Sequence, residues 1–164
     1  MPTFHTSRHV AHSATNMFAL VADVKQYPKF VPLCQSLQIS RREKTGEKEV
    51  VIASMTVAYK FFTESFTSRV LLKPAEHAID VSYLDGPFRR LENHWTFTPL
   101  GENESQIGFF LDYEFRSMAM QMLMGAVFDR AFRKFADAFE ARANVVYRNG
   151  AVAMPETGPA VARG

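Results

Sequence analysis

A single cysteine, Cys34, leaves the chain no disulfide of its own, and a reducing, intracellular setting is the expectation. Long apolar runs are missing too: no stretch approaches the roughly eighteen residues of a membrane-spanning helix, and the N-terminus lacks the apolar core of a secretory signal. Charge of one sign is scarce, with 19 Lys and Arg against 17 Asp and Glu for a net of +2. That balance makes no general electrostatic claim on nucleic acid, and DNA is not expected as a partner. Glycine-rich phosphate loops, GxSxG elbows and Cys-x-x-Cys pairs are absent. His5, His9 and His12 lie close in sequence, but strand spacing sets His5 and His9 about 13 Å apart, too far to share a metal. They are expected as surface or strand-end residues, and neither a metal nor a required cofactor is expected. With no neighbouring histidine to activate it, Cys34 is expected as a buried structural thiol.

What the chain does have is apolar content, 47% of 164 residues, enough for the core of one domain. Thr3 to Val10 has the β-branched and aromatic character of a strand. Met17, Leu20, Val21 and Val24 then recur at helical spacing behind Ser13 as N-cap, and Pro28 ends that helix by Tyr27. From Leu37 to Arg116 the period is two, cut by turn signals at KTGEK, KPAEH, LDGPF and PLGENE, which predicts an antiparallel meander. Phe62, Phe66, Val70 and Leu72 share one face with Ile79, Val81 and Tyr83, with Leu91, Trp95 and Phe97, and with Ile107 to Phe115 at every second position. A helix from Met118 to Tyr147, about 45 Å long and capped by Ser117, is the natural cover. The domain is expected over 1–149. The tail 150–164 has no periodicity and is expected to be disordered.

On that helix Phe128, Phe132, Phe135 and Phe139 form one stripe facing the sheet, while Asp129, Arg133 and Asp137 lie opposite and pair at i, i+4. Met120 and Met124 fall toward the stripe. Met122 and Leu123 fall on the outer side, so the first turns are apolar all round. A long helix laid over a curved aromatic sheet leaves a gap, and methionine suits variable volume. Glu64 and Asn93 are the polar residues on otherwise apolar faces. They either orient the polar end of a ligand or pair with each other, a loop or water. The expected ligand site is Phe62, Glu64, Phe66, Asn93, Trp95, Phe97, Tyr113, Met120, Met124, Phe128, Phe132 and Phe135. Met122 and Leu123, with Tyr27 and Phe30 of the YPKFVP turn, are expected as an exposed patch for ligand exchange, unless they serve simply as packing.

The segments YPKFVPLC, FTESFTSRV, LDGPFRRLENHWTF and QMLMGAVFDRAFRKFADAFEARA closely resemble the coenzyme Q-binding protein family, within the START-like, polyketide cyclase and dehydrase superfamily. The resemblance runs from about Thr3 to Tyr147. It implies an α+β helix-grip fold, a curved antiparallel sheet wrapped around a long C-terminal helix and enclosing a hydrophobic tunnel. It also implies non-catalytic binding of ubiquinone or a related polyprenyl lipid, in support of respiration or quinone biosynthesis, with transient contact to a membrane or a quinone-pathway protein. The chain is similar as well to ribosome-association toxins, which implies the large ribosomal subunit as an alternative partner. Mitochondrial members of the family carry transit peptides. Without one, a bacterial protein of the cytoplasm or the inner face of the plasma membrane is expected.

Three activities therefore compete. In the first, the quinone tail lies between the sheet and the Phe128, Phe132, Phe135 face, with its head group near Glu64 or Asn93. In the second, Arg41, Arg42, Lys44, Arg89 and Arg90 touch ribosomal RNA phosphates. In the third, a cyclase or dehydratase needs an acid and a base facing each other, and Glu64 with Tyr113 or His94 is the only candidate set, although alternation turns His94 away from Trp95.

Overall fold

The computed structural model describes residues 3–147, so the expected tail 150–164 lies outside the described residues. Strand β1 (Thr3–Val10) leads to helix α1 (Ala14–Ala22), where Ser13 Oγ accepts from the Asn16 amide as the expected N-cap. Val24–Lys29, with Pro28 inside it, forms a short 3-10 turn. Six strands follow, β2 (Cys34–Thr45), β3 (Lys48–Tyr59), β4 (Phe62–Lys73), β5 (Ala78–Asp85), β6 (Phe88–Gly101) and β7 (Glu104–Phe115). All pair antiparallel in the order β1-β7-β6-β5-β4-β3-β2, so the first strand pairs with the last and β1 and β2 form the two edges of the sheet.

The inner face carries the core foreseen from alternation. Trp95, Phe97, Ile107, Phe109, Leu111, Tyr113 and Phe115 are all buried. Their rings interlock at offset and edge-on angles, as in Trp95 against Phe109 at 4.8 Å and Tyr113 against Phe132 at 4.9 Å.

The long C-terminal cover is interrupted once, at Lys134, into two helical segments. α2 (Met118–Arg133) starts at Ser117, whose Oγ accepts from the Met120 amide at 3.2 Å. It ends at Lys134, where the amide reaches back only three residues to Ala131 O at 3.1 Å, and α3 (Phe135–Val146) resumes at once. The tightened turn is of 3-10 type, a common interruption at a helix end. The aromatic stripe survives the break, with Phe128, Phe132 and Phe139 buried and Phe135 half-buried. On the outer face Arg133 pairs with Asp129 at 3.1 Å as expected. Asp137 instead pairs with Arg8 of β1, which also reaches Glu140 at 2.9 Å.

His5 and His9 are exposed as expected, but His12 is buried and its Nε2 donates to Asn144 Oδ1 of α3 at 2.7 Å. It ties the strand end to the last helix. Cys34 is buried, its thiol donating to the Ser36 carbonyl at 3.6 Å, and burial pushes its pKa up to about 11. No helix among the described residues is long and apolar enough to cross a membrane.

Candidate functional site

Between sheet and helices lies an apolar cavity of about 100 Å³ of free space, within a hollow of about 950 Å³ counted out to solvent. Ala53, Val57, Val70, Ile79, Leu91 and Leu111 form its sheet side. Phe128, Ala131, Phe132, Phe135 and Phe139 form the helix side, and Val24, Tyr27, Pro32 and Leu33 of the turn region close a flank. The sheet and the cover thus supply large side chains whose shapes do not fill the space between them.

Seven of the expected residues line this cavity: Phe66, Asn93, Trp95, Phe128, Phe132, Phe135 and also Tyr27. The others do not. Phe62 is half-buried edge-on against Phe128 at 5.8 Å, outside the lining. Phe97 is stacked behind Trp95 at 6.0 Å. Tyr113 is wholly buried among Phe4, Phe88, Phe115 and Phe132, and its hydroxyl, without a partner among the described residues, is pushed upward in pKa by burial and then by the charge of Asp129. Met124 is buried in the core and Met120 is half-buried against it, so both fill space beside the cavity. Glu64 stands opposite Val57 in the β3–β4 register, half-exposed and outside the lining.

The expected exchange patch divides. Met122 and Leu123 are 81% and 72% exposed, so they do project outward. Tyr27 and Phe30 do not join them: both are half-buried, seated edge-on against Phe139 at 5.3 and 5.0 Å. The Tyr27 hydroxyl donates to the Val21 carbonyl at 2.5 Å, and burial raises its pKa.

Asn93 is the polar residue foreseen inside the cavity. Its Oδ1 accepts from Trp95 Nε1 at 3.0 Å and its Nδ2 donates to the Phe110 carbonyl at 2.8 Å. Ser68 is the polar lining residue that sequence reasoning passed over. The signal was available, since the period that turns Phe66 and Val70 inward turns Ser68 inward between them. No carboxylate and no histidine is among the lining residues. His94 lies on the outer face, between Asp80 and Glu92 at 2.7 Å each. No group of three His, Cys, Asp or Glu among the described residues is placed to hold a metal.

A seven-stranded antiparallel sheet gripping a C-terminal helix pair around an apolar cavity defines a START-like helix-grip protein. The chain belongs to the polyketide cyclase / dehydrase and lipid transport family, which matches residues 10–140. It is 34% identical over 147 residues to the ribosome association toxin RatA of Escherichia coli K12, covering 90% of each chain. It is 26% identical over 148 residues to the mitochondrial coenzyme Q-binding protein coq10 of Schizosaccharomyces pombe, covering 88% of each. Among solved structures, an 18 kDa protein of Caulobacter crescentus shares 34% identity with a TM-score of 0.72, over 88% of this chain and 97% of that one. A Streptomyces aromatase/cyclase shares the fold, at 20% identity and a TM-score of 0.73 over 91% of this chain and 98% of that one. The family description spans cyclases, dehydrases and lipid transport, so membership alone leaves catalysis open.

Proposed function

We propose that the protein is a non-catalytic carrier of ubiquinone or a closely related polyprenyl quinone, delivering it for respiration or quinone biosynthesis. The observation that carries this reading is the make-up of the cavity. Its lining is apolar and aromatic, with Ser68, Asn93 and Tyr27 as its polar side chains, and the Tyr27 hydroxyl is already committed to a backbone carbonyl. Proton-transfer catalysis needs an acid and a base facing the reacting atoms. Glu64, Tyr113 and His94, the sequence candidates, stand outside the lining. A few polar fixtures in an apolar hollow suit the ring and chain of a lipid. The free space of about 100 Å³ is smaller than the roughly 150 Å³ cavity that admits benzene in an engineered core, so a quinone ring and its chain must both draw on the wider hollow of about 950 Å³. The likeness to coq10 over most of both chains supports the same choice of ligand.

Exchange of such a ligand needs a landing surface. The β5–β6 turn and the start of α2 meet at one end of the sheet, where the Arg116 amide donates to the Pro87 carbonyl at 2.8 Å, and the β3–β4 turn projects from the same end. Phe61, Leu84, Met118, Met122 and Leu123 are all exposed there. Lys60 and Arg116 are exposed at the same end, so the occupant we assign to it is an anionic bilayer surface.

The names and higher identity of the toxin relatives favour a second reading, association with the large ribosomal subunit. The cations it would use are largely engaged with carboxylates. Arg41 lies 3.3 Å from Glu43, Arg42 3.0 Å from Glu49, Arg89 3.6 Å from Glu114, and Arg90 2.8 Å from Asp112, which leaves Lys44.

Organic extraction of freshly purified protein, followed by mass spectrometry, tests the first reading. Bound quinone is expected. Protein that carries none and takes none up from solution overturns it, and co-sedimentation with ribosomal subunits that falls steeply with salt would then support the second.

A further inference from the structure

The cavity wall carries a hydroxyl that the fold leaves unused. Ser68 on β4 is 6% exposed and lines the cavity, and its Oγ has no hydrogen-bond partner among the described residues. Its neighbours on the opposite face of the same strands differ. Ser54 and Thr67 share a hydrogen bond of 2.7 Å, and so do Thr56 and Ser65. A buried hydroxyl without a partner penalises folding, and alanine would occupy the same strand position without that penalty. A ligand atom that accepts a hydrogen bond there would remove it.

Asn93 faces the same cavity from β6. One of its two amide protons goes to Phe110, which leaves the second for a ligand. Ser68 stands opposite Tyr83 on β5, while Val81, two residues earlier, stands opposite both Val70 and Asn93. Ser68 and Asn93 are therefore two strands and two residues apart, about 12 Å between backbones, and closer at side chains that converge over a concave face. A six-membered ring with carbonyls at opposite positions sets its two oxygens about 5 Å apart. A hydrogen bond of about 2.8 Å at each end brings the span between donors to about 11 Å.

Resting on the quinone reading above, we propose that the cavity seats the ring of a para-quinone end to end, one carbonyl accepting from Ser68 Oγ and the other from Asn93 Nδ2. Ser68 is then the residue that separates a quinone from a plain isoprenoid chain. Asn93 also holds Trp95, so substitution there mixes two effects, whereas Ser68 Oγ has no hydrogen-bond partner to lose among the described residues.

The test uses full-length protein and Ser68→Ala with two probes, ubiquinone bearing two isoprene units and an isoprenoid hydrocarbon of equal chain length without the ring. The variant should bind the quinone about five- to tenfold more weakly, as expected for one lost hydrogen bond, and the hydrocarbon unchanged. The melting temperature of the empty variant should equal or exceed that of the wild type, because no hydrogen bond of the empty protein is lost among the described residues and a buried hydroxyl without a partner is removed. Equal weakening of both probes, no change in either, or a fall in the empty protein's melting temperature overturns the assignment. Wild-type protein that binds both probes equally overturns ring recognition and leaves a lipid carrier standing. Wild-type protein that binds neither overturns the carrier reading as well.

Discussion

Asn93 and Trp95, two residues apart on the inner face of β6, are joined by a hydrogen bond of 3.0 Å from the indole Nε1 to the amide Oδ1. The indole so held is 3% exposed and meets Phe139 of α3 edge-on at 5.1 Å. One amide thus orients the ring on which the last helix is seated. Asn93→Ala leaves the buried indole N–H without its acceptor, and a loss of about 1–3 kcal/mol is expected. Thermal denaturation should show a fall of about 3–10 °C. An unchanged melting temperature would mean that the indole finds another acceptor.

His94 gives the outer face a pH-dependent term. Partial burial works against its charge, but hydrogen bonds to Glu92 and Asp80 outweigh it and raise the pKa above the ordinary value near 6.5. A group whose pKa rises on folding stabilises fully below its unfolded value and loses that contribution as pH climbs through the folded one. The melting temperature of His94→Gln should therefore fall below that of the wild type by a degree or two (about 1–2 °C) at pH 5.5, the pair being partly exposed, and the gap should close toward pH 8.5. A gap that stays constant across that range would remove the imidazolium from the account.

Gly86, in the β5–β6 turn, has φ +144, and a Cβ there would sit 2.5 Å from Phe66 Cβ and 2.9 Å from its Cα. Neither the turn nor the strand backbone can give way cheaply. Gly86→Ala should cost about 2–4 kcal/mol, measured by urea denaturation. Because Phe66 lines the cavity, quinone affinity should fall in the same variant under conditions where it remains folded. Full stability would show that the turn relaxes.

Met122→Glu combined with Leu123→Glu places two charges where the side chains are 81% and 72% exposed, so stability should change by less than about 1 kcal/mol. Quinone transfer to vesicles containing anionic lipid should slow by about fivefold or more, with quinone affinity unchanged. Transfer at the wild-type rate would remove this surface from the exchange step.

Local chemistry was legible and distant company was not. Ser13 and Ser117 sit one step ahead of apolar helical periods, and both cap as the pattern requires. The Phe stripe and the alternating strands placed the inner face correctly, because spacing decides which side chains share a side. Tyr27 and Phe30 escaped because their partner, Phe139, is more than a hundred residues away. His12 escaped for the same reason, through Asn144. The break at Lys134 has no proline or glycine to announce it. A single tightened turn, with the Lys134 amide on Ala131 O, has no signature in residue type or spacing.

That pairing order also leaves β2 with a neighbour on one side only. An unpaired strand edge is a template on which another chain can add a strand and begin to aggregate. The exposed margin of β2 is Ser40-Arg41-Arg42-Glu43-Lys44-Thr45, and its register with β3 slips between Ile39 and Arg41. Charges and an irregular backbone make a poor template. The run that looks like a phosphate-binding tract in the sequence thus has a duty owed to solubility, and exchanging it for apolar residues would create a sticky edge on an otherwise well-folded domain.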